Sequence, residues 1–307
     1  MNEVVRRALE VAGLDTGECE HLVELALDED LRFGPDVTTA ATIGPDQVAR
    51  GDVVARQAGI VCGVPVALAV LDAVGVPLDG VAVRHRDAEA VQPGGVVLSI
   101  DASLRPMLVA ERTLLNFMTH LSGVATLTHR WVEALAGTAC QVRDTRKTTP
   151  GLRQLEKYAV RCGGGANHRL GLGDAALIKD NHVAATGGIA TAVAAVRAAE
   201  PAMPLEVECD NLAQVAEAVG AGATVILLDN MAIAEIREAV SMVRQVPGVV
   251  LEASGGVSLD NARAIAEAGV DFIAVGALTH SAPVLDLGLD LSPARDESET
   301  HVRAARD

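Results

Sequence analysis

The stretch from residue 204 to residue 230, PLEVECDNLAQVAEAVGAGATVILLDN, contains the unit from which the second half of the chain is built. Two short apolar runs, PLEVEC and TVILLD, flank an Ala-rich, helix-forming segment, LAQVAEAVGAG. Near-continuous apolar runs of this length are typical of strands buried on both faces, and a helix between two such strands joins them as a parallel pair. The stretch therefore predicts a strand–helix–strand crossover unit.

The same alternation extends from about residue 140 to residue 277. The further predicted strands are CQVRDT (140–145), AALIKD (175–180), VVLEAS (249–254) and FIAVGA (272–277). The further predicted helices are LRQLEKYAVRC (152–162), GIATAVAAVRAA (188–199), MAIAEIREAVSMV (231–243) and SLDNARAIAEAG (258–269). Six strands alternating with five helices require a parallel sheet with right-handed crossovers. Because no GxGxxG motif follows the first strand, we favour an α/β barrel, which need not reach eight strands, over a dinucleotide-binding sheet.

The N-terminal part is less regular and predicts a separate α+β domain over residues 1–116. An N-terminal helix is followed by the strand-like runs QVARGDVVAR, GIVCG, VAVRHR and VVLSI, with a helical run, PVALAVLDAV, between two of them. In EDLRFGPDVTT, Asp36 is expected to be a turn or helix-cap residue. A long helical stretch over residues 106–137 leads into the barrel domain, placed at 117–290, and a polar tail is expected over 291–307.

Composition excludes several classes of function. The formal net charge is -16 and aromatic residues make up only 2% of the chain, which disfavours nucleic-acid binding and binding to anionic membranes. The five cysteines show no CxxC spacing, so a zinc site or a disulfide framework is not expected. With no signal-peptide pattern and no long apolar run, the sequence predicts a cytoplasmic protein with reduced thiols.

Positive charge is concentrated between residues 143 and 182, where eight Arg or Lys accompany four acidic residues. Much of it falls where predicted strands end, and the other strands also end in polar residues or glycine. Since the C-terminal ends of barrel strands converge on one mouth, these residues predict a binding or catalytic site there. The residues at these strand ends are Asp144, Thr145, Arg146, Lys147, Lys179, Asp180, Asn181, His182, Glu206, Glu208, Asp210, Asp229, Asn230, Glu252, Ser254, Gly255, Gly256, Gly276 and Ala277.

The residue types indicate an anionic ligand. Arg146, Lys147, Arg169 and Lys179 can bind carboxylate or phosphate groups. The glycine turns SGGVS and GALTHS are typical of backbone phosphate cradles on the last strands of a barrel. The carboxylates of Glu208 and Asp229 could bind a divalent cation, hold sugar hydroxyls, or stabilise a developing positive charge.

Several assignments remain open from the residues alone. Arg153, Lys157 and Arg161 recur at helical spacing, so they belong either to the site or to one solvated helix face. His182 could cap a helix or contact a ligand, whereas His280, which follows the second glycine turn, is expected at the site. Period-two alternation places Glu206 and Glu208 on one face, one of them acting in the site and the other one layer deeper.

Long, ordered segments of the chain resemble the quinolinate phosphoribosyltransferase family. The main one is RDTRKTTPGLRQLEKYAVRCGGGANHRLGLGDAALIKDNH (143–182). The others are EDLRFGPDVTT (29–39), AERTLLNFMTHLSG (110–123), EVECDNL (206–212), ILLDNM (226–231), LEASGGV (251–257) and VGALTHS (275–281). The resemblance covers nearly the whole chain up to about residue 291.

This resemblance implies an N-terminal α/β sandwich domain and a C-terminal open α/β barrel. It implies a homodimer in which each site combines the barrel of one subunit with the N-terminal domain of the other. The implied activity is that of a decarboxylating phosphoribosyltransferase of NAD biosynthesis. In that reaction quinolinate and phosphoribosyl pyrophosphate, with Mg²⁺, give nicotinate mononucleotide, pyrophosphate and CO₂.

The resemblance also implies roles for individual residues. Arg146, His168, Arg169 and Lys179 match the basic pocket for the two quinolinate carboxylates, with Thr145 beside them, and Arg112 matches an arginine supplied by the partner subunit. Lys147 matches a lysine near the carboxylates and the pyrophosphate. Glu208 and Asp229 match the acidic pair at the ribose and the Mg²⁺. The turns Ser254, Gly255, Gly256 and Val275, Gly276, Ala277 match the 5′-phosphate loops, and His280 lies near the second of them.

Three other functions remain alternatives. A related phosphoribosyl-type transferase with another acceptor would lack part of the dicarboxylate pocket. A Schiff-base aldolase on a similar barrel would use Lys179 as its nucleophile. A non-catalytic barrel would bind the same ligands without turnover.

Overall fold

The computed structural model describes residues 1–293, which divide into two compact units. The first unit contains Met1–Thr126 together with residues 283–293, and the second contains Leu127–Ala282. The helices are α1 (Glu3–Val11), α2 (Thr16–Leu31), α3 (Val37–Thr42), α4 (Val64–Ala73), α5 (Leu104–Ala134), α6 (Arg153–Cys162), α7 (Asp180–Thr186), α8 (Ile189–Ala199), α9 (Leu212–Gly220), α10 (Ile233–Val243), α11 (Leu259–Glu267) and α12 (Ala277–His280). The strands are β1 (Val48–Ala55), β2 (Gly59–Ile60), β3 (Val81–Val83), β4 (Ala90–Val91), β5 (Val96–Ser103), β6 (Gln141–Arg143), β7 (Ala176–Ile178), β8 (Leu205–Cys209), β9 (Val225–Asp229), β10 (Val250–Ser254), β11 (Phe272–Ala274) and β12 (Leu287–Pro293).

The first unit is built on a four-stranded antiparallel sheet in the order β12-β1-β5-β3. A two-stranded antiparallel pair, β2 and β4, lies outside it. Two side chains lie close to Gly51 of β1, where a Cβ would lie 2.6 Å from Met107 Sδ and 3.0 Å from a methyl group of Leu289. The side chains of Met107, near the start of α5, and Leu289, on β12, therefore pack directly on the backbone of β1.

Three helices occupy the N-terminal segment for which one helix was predicted. Each begins at a residue whose side-chain oxygen accepts a backbone N–H of the first turn: Asn2 for α1, Asp15 for α2 and Asp36 for α3. The predicted capping role of Asp36 is therefore confirmed, with Thr39 N–H donating to Asp36 Oδ1 over 2.9 Å. Helices α1 and α2 pack against α4, whose apolar residues are almost all buried.

The division into units differs from the predicted domain boundaries in two places. The units separate after Thr126, inside α5, and not near residue 116. The chain also returns to the first unit at residue 283, because β12 hydrogen-bonds to the edge of its sheet. Residues 291–293, predicted as tail, pair with Ala49–Gly51 as part of that strand, and residues 294–307 lie outside the described residues.

The second unit is an open α/β barrel, as predicted. Its strands form one six-stranded sheet in the order β6-β11-β10-β9-β8-β7, every pair parallel. All six predicted strands and all five predicted connecting helices are present, in sequence order. β6 lies beside β11 and β7 lies at the opposite edge, so within residues 127–282 the sheet does not close on itself.

The strand–helix–strand unit of residues 204–230 shows why these segments fold as they do. The body of β9 is buried, with Ile226 and Leu228 fully inaccessible, because helices cover one face and the barrel interior covers the other. Asn211 begins α9 by accepting the N–H of Gln214 over 3.0 Å. Gly222, with a φ of +85°, ends that helix in the left-handed conformation that glycine adopts at little cost.

Among the described residues, no single helix is both long and apolar enough to cross a bilayer. Helices α7 and α8 meet the length and composition criteria only together, and they are bent by 91° at the break between them.

Replacing Gly123 by Ala is expected to destabilise the first unit. A Cβ at this position of α5 would lie 2.2 Å from Pro283 O and 2.9 Å from Val284 Cα, which are backbone atoms and cannot rotate away. Overpacking of this kind costs about 1–3 kcal/mol, which urea denaturation would measure as a lower transition midpoint. Gly220→Ala in α9 is the matched control, because nothing lies within 4 Å of its Cβ position. Equal stability of both variants would contradict the argument.

Candidate active site

The C-terminal ends of the barrel strands surround one cavity of about 430 Å³. Nine of the residues to which the family resemblance assigns a role at the site line it: Thr145, Arg146, Lys147, His168, Arg169, Lys179, Glu208, Asp229 and Ser254. Leu177, Leu227 and Ala274 add an apolar wall, and Glu252 adds a buried carboxyl group. A wall that combines cations, carboxylates and an apolar surface suits a flat, multiply charged ligand.

Two arginines at this cavity are only partly compensated. The side chain of Arg146 makes no hydrogen bond or ion pair with any described residue, and its buried Nε lacks a hydrogen-bond partner. Arg169 donates from Nη1 to Ala175 O over 2.8 Å. Burial, and secondly the neighbouring positive charge of Arg146, lower the pKa of Arg169 from its ordinary value. Two half-buried guanidinium groups that repel each other create a strong demand for an anion between them.

The acidic pair lies on neighbouring strands of the same mouth. Lys179, at the end of β7, donates its ammonium to Glu208 Oε2. Asn230 donates from Nδ2 to Asp229 Oδ2 over 2.7 Å. Each carboxylate therefore keeps its other oxygen for a further ligand.

The turn after β10 depends on a close approach between Gly255 and Asn230. Gly255 has a φ of +78°, and a Cβ there would lie 2.3 Å from Asn230 Oδ1. Asn230 itself has a φ of +54° and donates its backbone N–H to Ser254 O over 2.9 Å. Gly256 follows with a φ of +59°, and its carbonyl accepts from Asn261 Nδ2 over 3.0 Å. Because Gly255 and Gly256 have no side chains, the chain can turn at the mouth without a side chain covering the cavity.

The turn after β11 lies against Lys147. A Cβ on Gly276 would be 3.0 Å from Lys147 Cδ and 3.2 Å from His280 Nε2, so both side chains pass close to this turn. Thr279 donates from its hydroxyl to Lys147 O over 2.8 Å, which ties α12 to the segment that follows β6. The N–H of Val275 donates to Arg143 O and so belongs to the strand pairing, whereas Ala277 begins α12.

A buried ionic cluster lies beneath the mouth. Arg143 contacts the carboxylates of Glu206, at 3.3 Å, and Glu252, and its guanidinium lies 4.6 Å above the ring of Phe272. His168 Nε2 lies 2.9 Å from Glu206 Oε2 and 3.7 Å from Glu252 Oε1. The sequence did not distinguish Arg143 or Glu252 as members of such a cluster, although a glutamate in the middle of the apolar run VVLEAS is an unusual residue for a buried strand.

The hydrogen bonds of His168 determine which ring nitrogen carries the proton. Its Nδ1 accepts the N–H of Arg169 over 2.7 Å, so in the neutral ring the proton is on Nε2, which donates to Glu206. Glu206 is the deeper of the two glutamates on β8, and Glu208 is the one at the cavity. The predicted two-layer arrangement of these glutamates is thereby observed.

Other predicted residues have different surroundings. His182 accepts the backbone N–H of Lys179 over 2.9 Å, so it caps the start of α7. Lys157 is fully buried and bonded to Asp144, so the solvated helix face is excluded for it, and it does not line the cavity either. Arg112 is an exposed residue of α5 in the first unit.

The cysteine next to Glu208 is not a nucleophile at neutral pH. Cys209 is fully buried, and burial, followed by the negative charges of Asp210 and Glu208, raises its pKa to about 12. A thiol with that pKa is almost entirely protonated, so covalent thiolate chemistry is not available at this mouth.

Comparison with known proteins adds an independent observation. Residues 36–122 match the family described as quinolinate phosphoribosyl transferase, N-terminal domain, and residues 124–290 match its C-terminal domain. The nicotinate-nucleotide pyrophosphorylase [carboxylating] of Mycobacterium leprae is 52% identical over 273 residues, which cover 88% of this chain and 95% of that protein. A probable enzyme of the same name from Bacillus subtilis is 37% identical over 88% of this chain and 92% of its own.

Solved structures are similar over the same extent. The nicotinate-nucleotide pyrophosphorylase of Ehrlichia chaffeensis superposes with a TM-score of 0.84 at 37% identity, covering 89% of this chain and 98% of that one. NadC from Streptococcus pyogenes superposes with a TM-score of 0.86 at 36% identity, covering 92% and 99%. The likeness therefore includes both units and the mouth between the strand ends of the barrel.

Replacing Glu252 by Gln is expected to remove a pH-dependent component of stability. Burial, and secondly the charge of Glu206, raise the pKa of Glu252 from 4.5 to about 8, while Arg143 acts in the opposite direction. Between these values the unfolded chain has released a proton that the native state retains. The free energy of unfolding therefore falls as pH rises, by at most about 1.4 kcal/mol per pH unit.

Urea denaturation from about pH 5 to pH 8 measures this effect as the difference between variant and wild type. The stability of Glu252→Gln relative to wild type should increase with pH across this window. Glu267→Gln, at an exposed position of α11, is the control and should show no such trend. Parallel pH profiles for Glu252→Gln and wild type would contradict the assignment of the proton to Glu252.

Proposed function

The chain belongs to the quinolinate phosphoribosyltransferase family, and on this premise we propose that its barrel mouth is a decarboxylating phosphoribosyltransferase site. The reaction joins quinolinate to phosphoribosyl pyrophosphate and yields nicotinate mononucleotide, pyrophosphate and CO₂. It is the reaction of pyridine-nucleotide and NAD biosynthesis that the names of the curated relatives describe in reverse, as a carboxylating pyrophosphorylase.

The observation that carries this proposal is the unpaired Arg146 beside Arg169. Two guanidinium groups at one cavity, with a buried Nε lacking a partner, are complementary to a planar dicarboxylate. Lys147 and Lys179 add charge at the rim, and Leu177 offers an apolar contact for the ring. A dianion held in this way presents its ring nitrogen in a defined orientation, which lowers the entropy cost of attack.

The first chemical step forms a bond between the ring nitrogen and C1′ of the ribose and breaks the bond from C1′ to the pyrophosphate oxygen. Positive charge develops on the ribose ring as the leaving group departs. The carboxylates of Glu208 and Asp229 lie at the mouth on adjacent strands, where they would stabilise that charge electrostatically. The glycine turns at Gly255 and Gly276 would bind the 5′-phosphate, with their backbone N–H groups donating to its oxygens.

The second step is the loss of CO₂. Once the ring nitrogen is bonded to ribose it is cationic, so it can accept the electron pair left on the adjacent carbon when the carboxylate leaves. That carbon then takes a proton in place of CO₂. The role of the chain here is to hold the remaining carboxylate, which keeps the ring in register through both steps.

The donor set fits Mg²⁺. Glu208 and Asp229 each retain one carboxylate oxygen after bonding Lys179 and Asn230, and Mg²⁺ usually takes one or two carboxylates and keeps several waters. When bound, the ion would neutralise the departing pyrophosphate. Glu208 and Asp229 are the residues of this chain that would hold it.

We also propose that the protein works as a cytoplasmic homodimer with shared sites. Arg112 is exposed on α5 and matches the position from which the family supplies an arginine to the neighbouring subunit's pocket. Arg112 would act as Arg146 does, because an additional positive charge helps to bind a dianion.

The test of the function is an assay of the purified protein with quinolinate, phosphoribosyl pyrophosphate and Mg²⁺. We expect equal amounts of nicotinate mononucleotide, pyrophosphate and CO₂, and loss of turnover when the metal is chelated. Folded protein that forms no nucleotide under these conditions would refute the proposed function. Nucleotide formed with an acceptor other than quinolinate would favour the related-transferase alternative.

Replacing Arg146 by Ala is expected to weaken quinolinate binding by about 10- to 100-fold, because a charged hydrogen-bonding partner of the dianion is lost. Lys179→Ala should act in the same direction. Binding of phosphoribosyl pyrophosphate should change much less in both variants. Calorimetric titration of each ligand measures the two affinities separately. The matched control is Arg237→Ala, an exposed arginine on α10, and equal losses for both ligands would refute the assigned roles.

A further inference from the structure

Lys157 is a lysine with no access to solvent. It lies on α6, and its ammonium donates to the carboxylate of Asp144 and, over 2.8 Å, to the carbonyl of His168. Asp144 is also fully buried, at the end of β6. An ammonium ion and a carboxylate are expensive to remove from water, and here each is the other's charge partner. Burial raises the pKa of Asp144 and lowers the pKa of Lys157, and the attraction between the two groups acts against both shifts.

The same carboxylate fixes the segment 166–168. Asp144 Oδ1 accepts the N–H of His168 over 2.9 Å, and its Oδ2 accepts from Asn167 Nδ2 over 2.6 Å. Asn167 Nδ2 also donates to Lys157 O over 2.8 Å. The backbone of Asp144 adds one more bond, since its N–H donates to Ala166 O over 3.2 Å. The side chains and main chain of Asp144 and Lys157 therefore bind three consecutive residues, 166–168.

This segment has little other regular structure to support it. It belongs to no strand or helix, and its one parallel bridge joins Ala166 to Arg143 of β6. His168, the last residue of the segment, and Arg169, the residue after it, both line the cavity. The direction of both side chains at the mouth thus depends on where the segment lies, and the position of the segment depends on Asp144 and Lys157.

We propose that Lys157 and Asp144 form a positioning pair for the dicarboxylate pocket. The pair contacts no ligand itself and acts by holding His168 and Arg169 at the mouth. The inference rests on the proposed function, because it assigns these two residues to the quinolinate half of that site. It gives the only fully buried lysine among the described residues a role in substrate recognition.

The phosphoribosyl half of the site has separate supports. The turn after β10 is held by Asn230 and Asn261, and the turn after β11 is held by Thr279. None of these bonds involves Asp144 or Lys157. A displaced 166–168 segment should therefore affect quinolinate binding selectively, whereas general loosening of the barrel would affect both ligands.

The experiment compares Lys157→Met with wild type in full-length protein. Quinolinate alone and phosphoribosyl pyrophosphate with Mg²⁺ are each titrated by calorimetry, and the kcat and KM for both substrates are measured. We expect the quinolinate Kd and KM to rise by about 10- to 100-fold, the loss typical of a misplaced binding group, with the phosphoribosyl pyrophosphate values within about twofold of wild type. Arg244→Met is the matched control, because Arg244 also ties a carboxylate (Asp271) and a backbone carbonyl (Gly269) over 2.8 Å, away from the cavity.

Two more variants keep the proposal testable if Lys157→Met folds poorly. Asp144→Asn with Lys157→Met removes both charges together, leaves an amide oxygen to accept from His168 N–H, and should recover part of the quinolinate affinity. Asn167→Ala removes two of the bonds without leaving a buried charge unpaired, and it should show a smaller loss of the same selectivity.

The outcomes are distinct. Folded variants that lose both ligands equally, or neither, would overturn the positioning role while wild-type turnover upholds the proposed function. A selective quinolinate loss in Arg244→Met would also overturn it. Wild-type protein that neither binds nor consumes quinolinate would overturn the proposed function, and this inference with it.

Discussion

The seam between β6 and β7 is the constraint on which the barrel unit depends. A parallel sheet of six strands that does not close leaves two edge strands, β6 and β7, whose outer backbone groups need partners. The segment around Ala166 supplies some of them by pairing with β6, and a buried ion pair behind it keeps that segment in place. The same segment then forms one side of the mouth. The residues that complete the barrel beside β6 therefore also shape the site.

The charge inside this barrel is held in mutual contacts. Arg143, Glu206, Glu252 and His168 form a compact cluster under the mouth, in which positive and negative groups contact each other directly. A buried charge without a partner would cost several kcal/mol, so the cluster is stable only as a set. Above it, Arg146 and Arg169 are left without enough anions, and this imbalance is what the substrate would correct.

The strand–helix alternation, the barrel and the mouth could all be predicted from residues, because they follow from local periodicity and from the rule that strand ends converge. The main failures occurred where side-chain surroundings depend on distant segments. Lys157 has the helical spacing of a solvated face, yet α6 turns that face inward onto Asp144. Residues 291–293, the last three of β12, were assigned to the tail because they run into a polar sequence, and only their pairing with β1 shows that they belong to a strand.

The sequence by itself therefore determined the fold class, the family, and most of the residues at the mouth, since these depend on spacing along the chain. The tertiary structure decided which charged groups are paired and which are left for a ligand. Glu206 and Glu208 are two residues apart and chemically identical, but one closes the buried cluster and the other faces the cavity with Lys179. Burial and partners, which give each carboxylate its role, arise only when separate strands are brought together.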